Sequence, residues 1–164
     1  VHRRRELLPS LMDRLTDPDR NTRKFACFAI GNAGFHNDSL YSAIRPCIPA
    51  LVALLQDPEQ KTRANAAGAL GNLVRNSSSL CGDLIRAGAM RQLLETLRDP
   101  KGSAKNIALF SLGNFCAYDE CRAILLESGF RQQINEMTGS PDPLIQKYIN
   151  RILAKLGRSG GAGS

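Results

Sequence analysis

Three asparagines, Asn32, Asn72 and Asn114, stand 40 and 42 residues apart, each behind a glycine: Ile30-Gly31-Asn32-Ala33, Leu70-Gly71-Asn72-Leu73 and Leu112-Gly113-Asn114-Phe115. An amide side chain carries donor and acceptor together. Placed once per unit along a stack, such amides form a ladder. That ladder can clamp the main chain of an extended peptide, whose N–H and C=O groups alternate. A plainer role stands beside it: a helix C-cap, or a local bond from side chain to backbone. Helix-favouring residues continue beyond each asparagine (Ala33; Leu73-Val74-Arg75; Phe115-Cys116-Ala117), which fits a cap poorly. Bond-breaking chemistry has little to work with. The two histidines are His2, near the start, and His36, at an expected helix end, and no acid pair or nucleophile–base constellation accompanies them. The expectation is a binding surface without catalytic residues, metal or cofactor.

A second marker keeps the same step. Asp17-Pro18, Asp57-Pro58 and Asp99-Pro100 are followed in phase by Asp142-Pro143. Two independent phrases locked at a period near forty, in helical sequence, indicate stacked helical repeats of the armadillo or HEAT kind. Such solenoids build long concave surfaces that hold other proteins.

Residues 77–118 give the clearest unit. Leu80, Leu84 and Ile85 mark a short first helix, Ser77 to Arg86. Gly88 breaks it. Met90, Leu93, Leu94 and Leu97 form one apolar stripe of a second helix. Asp99 then ends that helix and is expected to cap the third, with Pro100 at its first position. The third helix, through Ile107 to Leu112, is apolar on most sides and should lie buried between neighbours. Unit two repeats this as Leu40 to Ile44, Ile48 to Leu55 and Glu59 to Arg75, with Pro46 and Pro49 making the break. Unit four reads Cys121 to Leu126, Phe130 to Met137 and Pro143 to Leu156, with Gly129 in the place of Gly88. Unit one lacks its first helix and runs Arg5 to Leu15, then Asp19 to Phe35. The expected fold is all-α: a right-handed armadillo solenoid of about four repeats (5–37, 38–76, 77–118, 119–156), three helices each, the first incomplete. A basic leader, 1–4, would precede it and a flexible Gly/Ser tail or linker, 157–164, would follow.

A glycine inside a helix costs about 1 kcal/mol against alanine. Gly31, Gly71, Gly113 and Gly68 are therefore expected to permit close helix approach. Helical spacing from the asparagines then names the groove: Phe28 and Phe110 four residues before, Lys24, Asn65 and Asn106 seven or eight before, His36 and Arg75 three or four after. Phe28 and Phe110 suit apolar side chains of a ligand, though phenylalanine at this spacing also serves as core.

The bulk properties restrict the rest. The net charge is +7, from 22 Lys and Arg against 15 Asp and Glu, and Arg3, Arg4 and Arg5 cluster at the start. Two readings of that cluster stand: a solvated end, or a preference for acidic partners. Nucleic acid ranks last, because the basic residues are not interleaved with aromatics and no DNA-binding motif appears. No run of about eighteen apolar residues exists to span a membrane. Five cysteines, an odd number without a signal peptide or a Cys-x-x-Cys pair, fit a reducing, cytoplasmic setting with no disulfide framework or zinc site. Cys27 and Cys116 read as small core residues. The chain opens with Val1 rather than methionine and reads as a piece of a longer protein.

The strings Arg23-Lys24-Phe25-Ala26-Cys27-Phe28-Ala29-Ile30-Gly31-Asn32-Ala33, Thr62 to Leu73 and Ser111-Leu112-Gly113-Asn114-Phe115-Cys116 are more specific than the general repeat pattern. Over residues 10 to 130 they resemble the C-terminal armadillo region of Fused-type serine/threonine kinases. That resemblance implies a parent with an N-terminal kinase domain. This stretch itself has no phosphate-binding glycine loop after a strand, no HRD-type catalytic loop and no DFG. It also implies Hedgehog signalling, motile cilia or plant cytokinesis as settings, a cilium or microtubule location, and kinesin-like or other cytoskeletal and signalling partners. Armadillo proteins place an asparagine at this point of the third helix to line the groove. Nuclear-import adaptors carry tryptophan four residues before it; here those positions are Phe28, Gly68 and Phe110, which argues against a receptor for nuclear-localisation signals. A general armadillo adaptor for extended peptides, or a self-associating structural element with exposed end faces, stands as the alternative.

Overall fold

A computed structural model describes residues 2–99 and 102–157. Every regular element among them is helical. Unit one contributes α1 (His2–Asp13) and α2 (Arg20–Ala33), and unit two α3 (Tyr41–Ile44), α4 (Ile48–Ala53) and α5 (Gln60–Asn72). Unit three contributes α6 (Cys81–Arg86), α7 (Ala89–Thr96) and α8 (Ser103–Phe115); unit four contributes α9 (Asp119–Glu127), α10 (Phe130–Met137) and α11 (Pro143–Gly157). The two-helix first unit and three-helix later units match the expectation. α1 begins at His2, so Arg3, Arg4 and Arg5 belong to a helix where a leader was expected. The expected tail falls outside the described residues apart from Gly157.

The junctions follow local chemistry. Gly88 and Gly129 sit at φ 75° and 81°, left-handed positions that reverse the chain between the first and second helices of their units. In unit two a 3-10 turn, Arg45–Cys47, with Pro46 and then Pro49 in the first turn of α4, does the same job.

The Asp-Pro phrases act otherwise than expected. α2 and α5 start two residues beyond their prolines, at Arg20 and Gln60. Asp17 and Asp57 instead accept from the backbone N–H of Asp19 and Glu59, at 2.8 and 2.9 Å, which fixes the bend before the helix. Asp19 is the cap of α2, accepting from Thr22 N at 2.8 Å. Asp99 does not cap α8 either; Gly102 holds that position, and Pro100 lies outside the described residues. In unit four alone the expected arrangement holds, with α11 starting at Pro143 and Asp142 accepting from Leu144 N at 2.8 Å.

The third helices end sooner than Phe35 and Arg75. Each closes at its asparagine or one residue later, through bonds from Phe35 N to Asn32 O, Arg75 N to Asn72 O and Ala117 N to Asn114 O, at 3.3, 3.3 and 3.2 Å. The chain must turn there to begin the next unit, and that requirement overrides the helix propensity of Leu73-Val74-Arg75.

One continuous core runs through all four units, from Leu8 to Leu156. α2, α5, α8 and α11 lie side by side through it. The glycines set their spacing. A Cβ on Gly31 would meet Ala69 Cα and Cβ at 3.2 Å; one on Gly71 would meet Ser111 Oγ at 2.2 Å. A Cβ at Gly71 requires Ser111 or α8 to shift, and one at Gly31 would need Ala69 to give by a few tenths of an ångström.

Candidate peptide-binding groove

The side-by-side third helices present one residue row per unit, and the three asparagines occupy it. Two of them reach back across a unit boundary. Asn72 Nδ2 donates to Gly31 O at 2.9 Å and Asn114 Nδ2 to Gly71 O at 3.2 Å. Each acceptor is the carbonyl just before the preceding asparagine, so the amides form a ladder through the protein's own backbone. One N–H and the oxygen of Asn72 remain for a ligand. Asn114 Oδ1 accepts from Arg151 Nη2 at 2.6 Å. Asn32 is exposed. Asn65 adds another rung, donating to Lys24 O at 3.1 Å.

Lys24, Phe28 and Asn65 come together on one face. With Phe25, Ala64, Lys61, Ser103 and Ile107 they line a depression of about 410 Å³ spanning α2, α5 and α8. Phe25 and Phe28 are 64% and 54% exposed, which places them on the groove wall rather than in the core. Lys24 Nζ stands 5.0 Å over the Phe25 ring and 3.5 Å from Glu59 Oε1. Asn32 and His36 line a second depression, of about 370 Å³, with Leu7, Leu8 and Leu11 of α1.

Phe110 behaves differently from Phe28. Tyr148 packs against it, ring centroids 5.3 Å apart, and the Arg151 guanidinium lies 4.6 Å over its ring. α11 thus covers the Phe110 site with a cation instead of leaving an open apolar pocket. Arg75 is exposed, 4.2 Å over the Phe35 ring, and Phe35 meets His36 edge-on at 5.0 Å. Asn106 is half-buried on α8 and joins neither depression.

Sequence reasoning missed Lys61 and Ser103. Both lie eleven residues, three helical turns, before an asparagine, so carrying the spacing one turn further would have found them. It also missed why Asp-Pro recurs. Arg23 Nε donates to Asp57 Oδ2 at 2.8 Å, and its Nη1 to the Asp17 and Pro18 carbonyls at 2.9 and 3.0 Å. Arg63 repeats this one unit on, reaching Asp99 Oδ2 at 3.1 Å and the Asp57 and Pro58 carbonyls at 2.8 and 3.2 Å. Each arginine clips its own bend to the aspartate of the next unit.

All five thiols are free and buried. Burial pushes Cys27 and Cys47 up to about 12 and Cys116 to about 11, and raises Cys81 and Cys121 as well. They are protonated packing groups at neutral pH, not nucleophiles. No helix among the described residues is long and apolar enough to cross a membrane.

Comparison with known proteins agrees with this geometry. A family model of HEAT repeats matches residues 8–87. In that span unit one has two helices and α3 is a single turn, so a two-helix pattern fits. The serine/threonine-protein kinase TIO of Arabidopsis thaliana is 42% identical over 98 residues, which is 51% of this chain and 7% of that protein. Among solved structures, an engineered protein superposes with a TM-score of 0.87 at 22% identity, covering 93% of this chain and 63% of its own. A designed armadillo repeat protein in complex with the peptide (KR)4 gives 0.84 at 24% identity, over 92% of this chain and 64% of its own. Another designed armadillo repeat protein gives 0.83 at 27% identity, again over 92% and 64%. The chain therefore spans less than two thirds of each of these relatives. It is an all-helical repeat solenoid of the armadillo type, a fold of protein-binding scaffolds, and half of it resembles a Fused-type serine/threonine kinase.

Proposed function

We propose that this chain is a regulatory or targeting segment of a Fused-like serine/threonine kinase, and that it docks a kinesin-like or other cytoskeletal partner along the face of α2, α5, α8 and α11. The observation that carries the reading is the exposure of Phe25 and Phe28 beside half-used amides on one face, where a monomeric core would have buried them. The resemblance to a plant serine/threonine-protein kinase supports a kinase parent; the cytoplasmic, microtubule- or cilium-associated setting is part of the proposal. Kinase activity belongs to that parent; this stretch contributes binding. A second reading, a general adaptor for extended peptides, draws support from the designed armadillo relative that holds the peptide (KR)4.

The test is affinity capture from extract of dividing or ciliated cells, read by mass spectrometry. Wild type is compared with a Phe25→Ala, Phe28→Ala double variant shown to be folded by circular dichroism. Both side chains are largely exposed, so the variant should keep the fold. Loss of a cytoskeletal protein from the variant supports the groove; an identical catch from both proteins refutes it.

A further inference from the structure

The four third helices are acid-free. Arg20–Ala33, Gln60–Asn72, Ser103–Phe115 and Pro143–Gly157 together carry nine Lys and Arg and not one of the chain's fifteen Asp and Glu. A general cationic excess would scatter basic residues over every helix and leave acids among them. Here the acids are confined to the first and second helices, the bends and the loops.

Several of these cations are already engaged. Arg23 and Arg63 pair with Asp57 and Asp99, and Lys24 lies 3.5 Å from Glu59. Others lie at the rim of the Phe25–Phe28 depression or on α11. Lys61 is exposed on the rim of the Phe25–Phe28 depression and makes no ion pair among the described residues. Lys147, Arg151 and Lys155 stand at i, i+4 and i+8 on α11, one face of the helix. Arg151 Nη2 and Lys155 Nζ lie within 3.4 and 2.7 Å of the Phe110 and Gly113 carbonyls, which fixes that face against α8. Lys147 is exposed one turn before Arg151.

We propose that the occupant of this groove is an acidic, extended peptide segment, with an apolar side chain seated on Phe25, Phe28 and Ile107 and carboxylates meeting Lys61 at one end and Lys147 and Arg151 at the other. The inference rests on the groove reading above and names the chemistry of its ligand. Length follows from the helix spacing. Lys61 on α5 and Lys147 on α11 are two helix-to-helix steps of about 10 Å apart, or about six extended residues at about 3.3 Å each, and reaching Phe25 and Phe28 on α2 adds a third step, for about nine in all. The charge sign sets this chain apart from a groove that takes the basic peptide (KR)4. Like charge facing like charge in a partly desolvated groove opposes binding, whereas opposite charge speeds encounter and selects the partner.

The test is fluorescence anisotropy with three labelled probes: a decapeptide alternating Glu and Leu, one alternating Ser and Leu, and (KR)4. The Glu-Leu peptide is expected to bind about tenfold or more tighter than Ser-Leu at low salt, with (KR)4 weakest, and to weaken as salt rises. A Lys61→Glu, Lys147→Glu double variant, both positions exposed, should lose roughly tenfold for Glu-Leu and clearly less for Ser-Leu. Equal affinity for Ser-Leu, or tighter binding of (KR)4, overturns the acidic assignment while the groove reading stands. If no probe binds, the acidic assignment falls; the groove reading falls with it only if Phe25→Ala, Phe28→Ala also captures the wild-type partners.

Discussion

Replacing Gly71 by alanine should destabilise this protein, and the same replacement at Gly68, one turn earlier on α5, should stabilise it. Both changes bring the same local gain, about 1 kcal/mol of helix propensity. The difference lies in α8. A Cβ on Gly71 would stand 2.2 Å from Ser111 Oγ, 2.6 Å from Ser111 Cβ and 3.0 Å from Ser111 Cα. The hydroxyl cannot swing aside freely, because it donates to Ala67 O at 2.7 Å in a buried site. Carbon atoms in contact sit about 3.5–4 Å apart, so α5 and α8 must separate by roughly 1 Å. Overpacking of this kind costs about 1–3 kcal/mol, and the lost hydrogen bond adds about 1 kcal/mol. Net destabilisation of about 1–3 kcal/mol remains after the propensity gain. At Gly68 the new Cβ would lie 3.4 Å from Ile107 Cγ2, ordinary contact, so about 0.5–1 kcal/mol of stabilisation survives. Urea unfolding followed by far-UV circular dichroism measures both. Ser111→Gly added to Gly71→Ala should restore part of the loss, since it removes two of the three contacts. A Gly71→Ala protein as stable as wild type would refute the claim that a Cβ at this crossing forces Ser111 or α8 to shift.

Asp57→Ala should cost about 2–3 kcal/mol, because it breaks a charge-assisted bond to Arg23 and the bend bond to Glu59 N, while Asp17→Ala, which loses its own bend bond to Asp19 N but pairs only with exposed Arg14, should cost about 1 kcal/mol. Comparable losses in thermal melts of the two variants would remove the inter-unit role of Arg23. Asn72→Ala should lose about 1 kcal/mol through Gly31 O, and exposed Asn32→Ala should stay within about 0.5 kcal/mol of wild type; the same unfolding series reads both. Stability should also fall in alkali. Cys27 and Cys47 titrate near 12 folded against 9.0 ordinarily, so the unfolded chain loses its thiol protons first. Their contribution is complete below pH 9 and declines from there toward pH 12, by on the order of 1–2 kcal/mol per thiol at pH 10.5. A flat profile between pH 8 and pH 10.5, or rapid thiol labelling of the native protein, would contradict this burial.

Periodicity carried most of the architecture. Leu80, Leu84 and Ile85, then Met90 to Leu97, locate α6 and α7 closely, because apolar spacing reflects the one core that every unit shares. Gly88 and Gly129 were legible for the same local reason: a left-handed joint favours glycine wherever it occurs. Tertiary partners were not legible. Spacing places Asn72 and Asn114 on one face, yet nothing in it says that one N–H of each amide is taken by a carbonyl more than forty residues upstream. Asp57 reads as a cap because aspartate before a helix usually is one; its actual partners include an arginine in the preceding unit. Phe28 and Phe110 hold the same place in the repeat but differ in environment. Beside Phe28 the next helix offers small Ala64 and Asn65, whereas Phe110 meets Tyr148 and Arg151 of α11.

The helix crossings differ in what fills the gap opposite each glycine. Gly31 faces Ala69 and Gly71 faces Ser111, both through Cβ and main-chain atoms, but Gly113 faces the guanidinium of Arg151. Main chain resists displacement steeply, whereas the Arg151 end is a side chain held by its bonds to Asn114 Oδ1 and Phe110 O. The first two crossings are therefore set by the bulk of the backbone, and the last by polar bonds whose donors and acceptors water can also serve. A tug along the axis would meet hard contact between the first three units and directional bonds at α11.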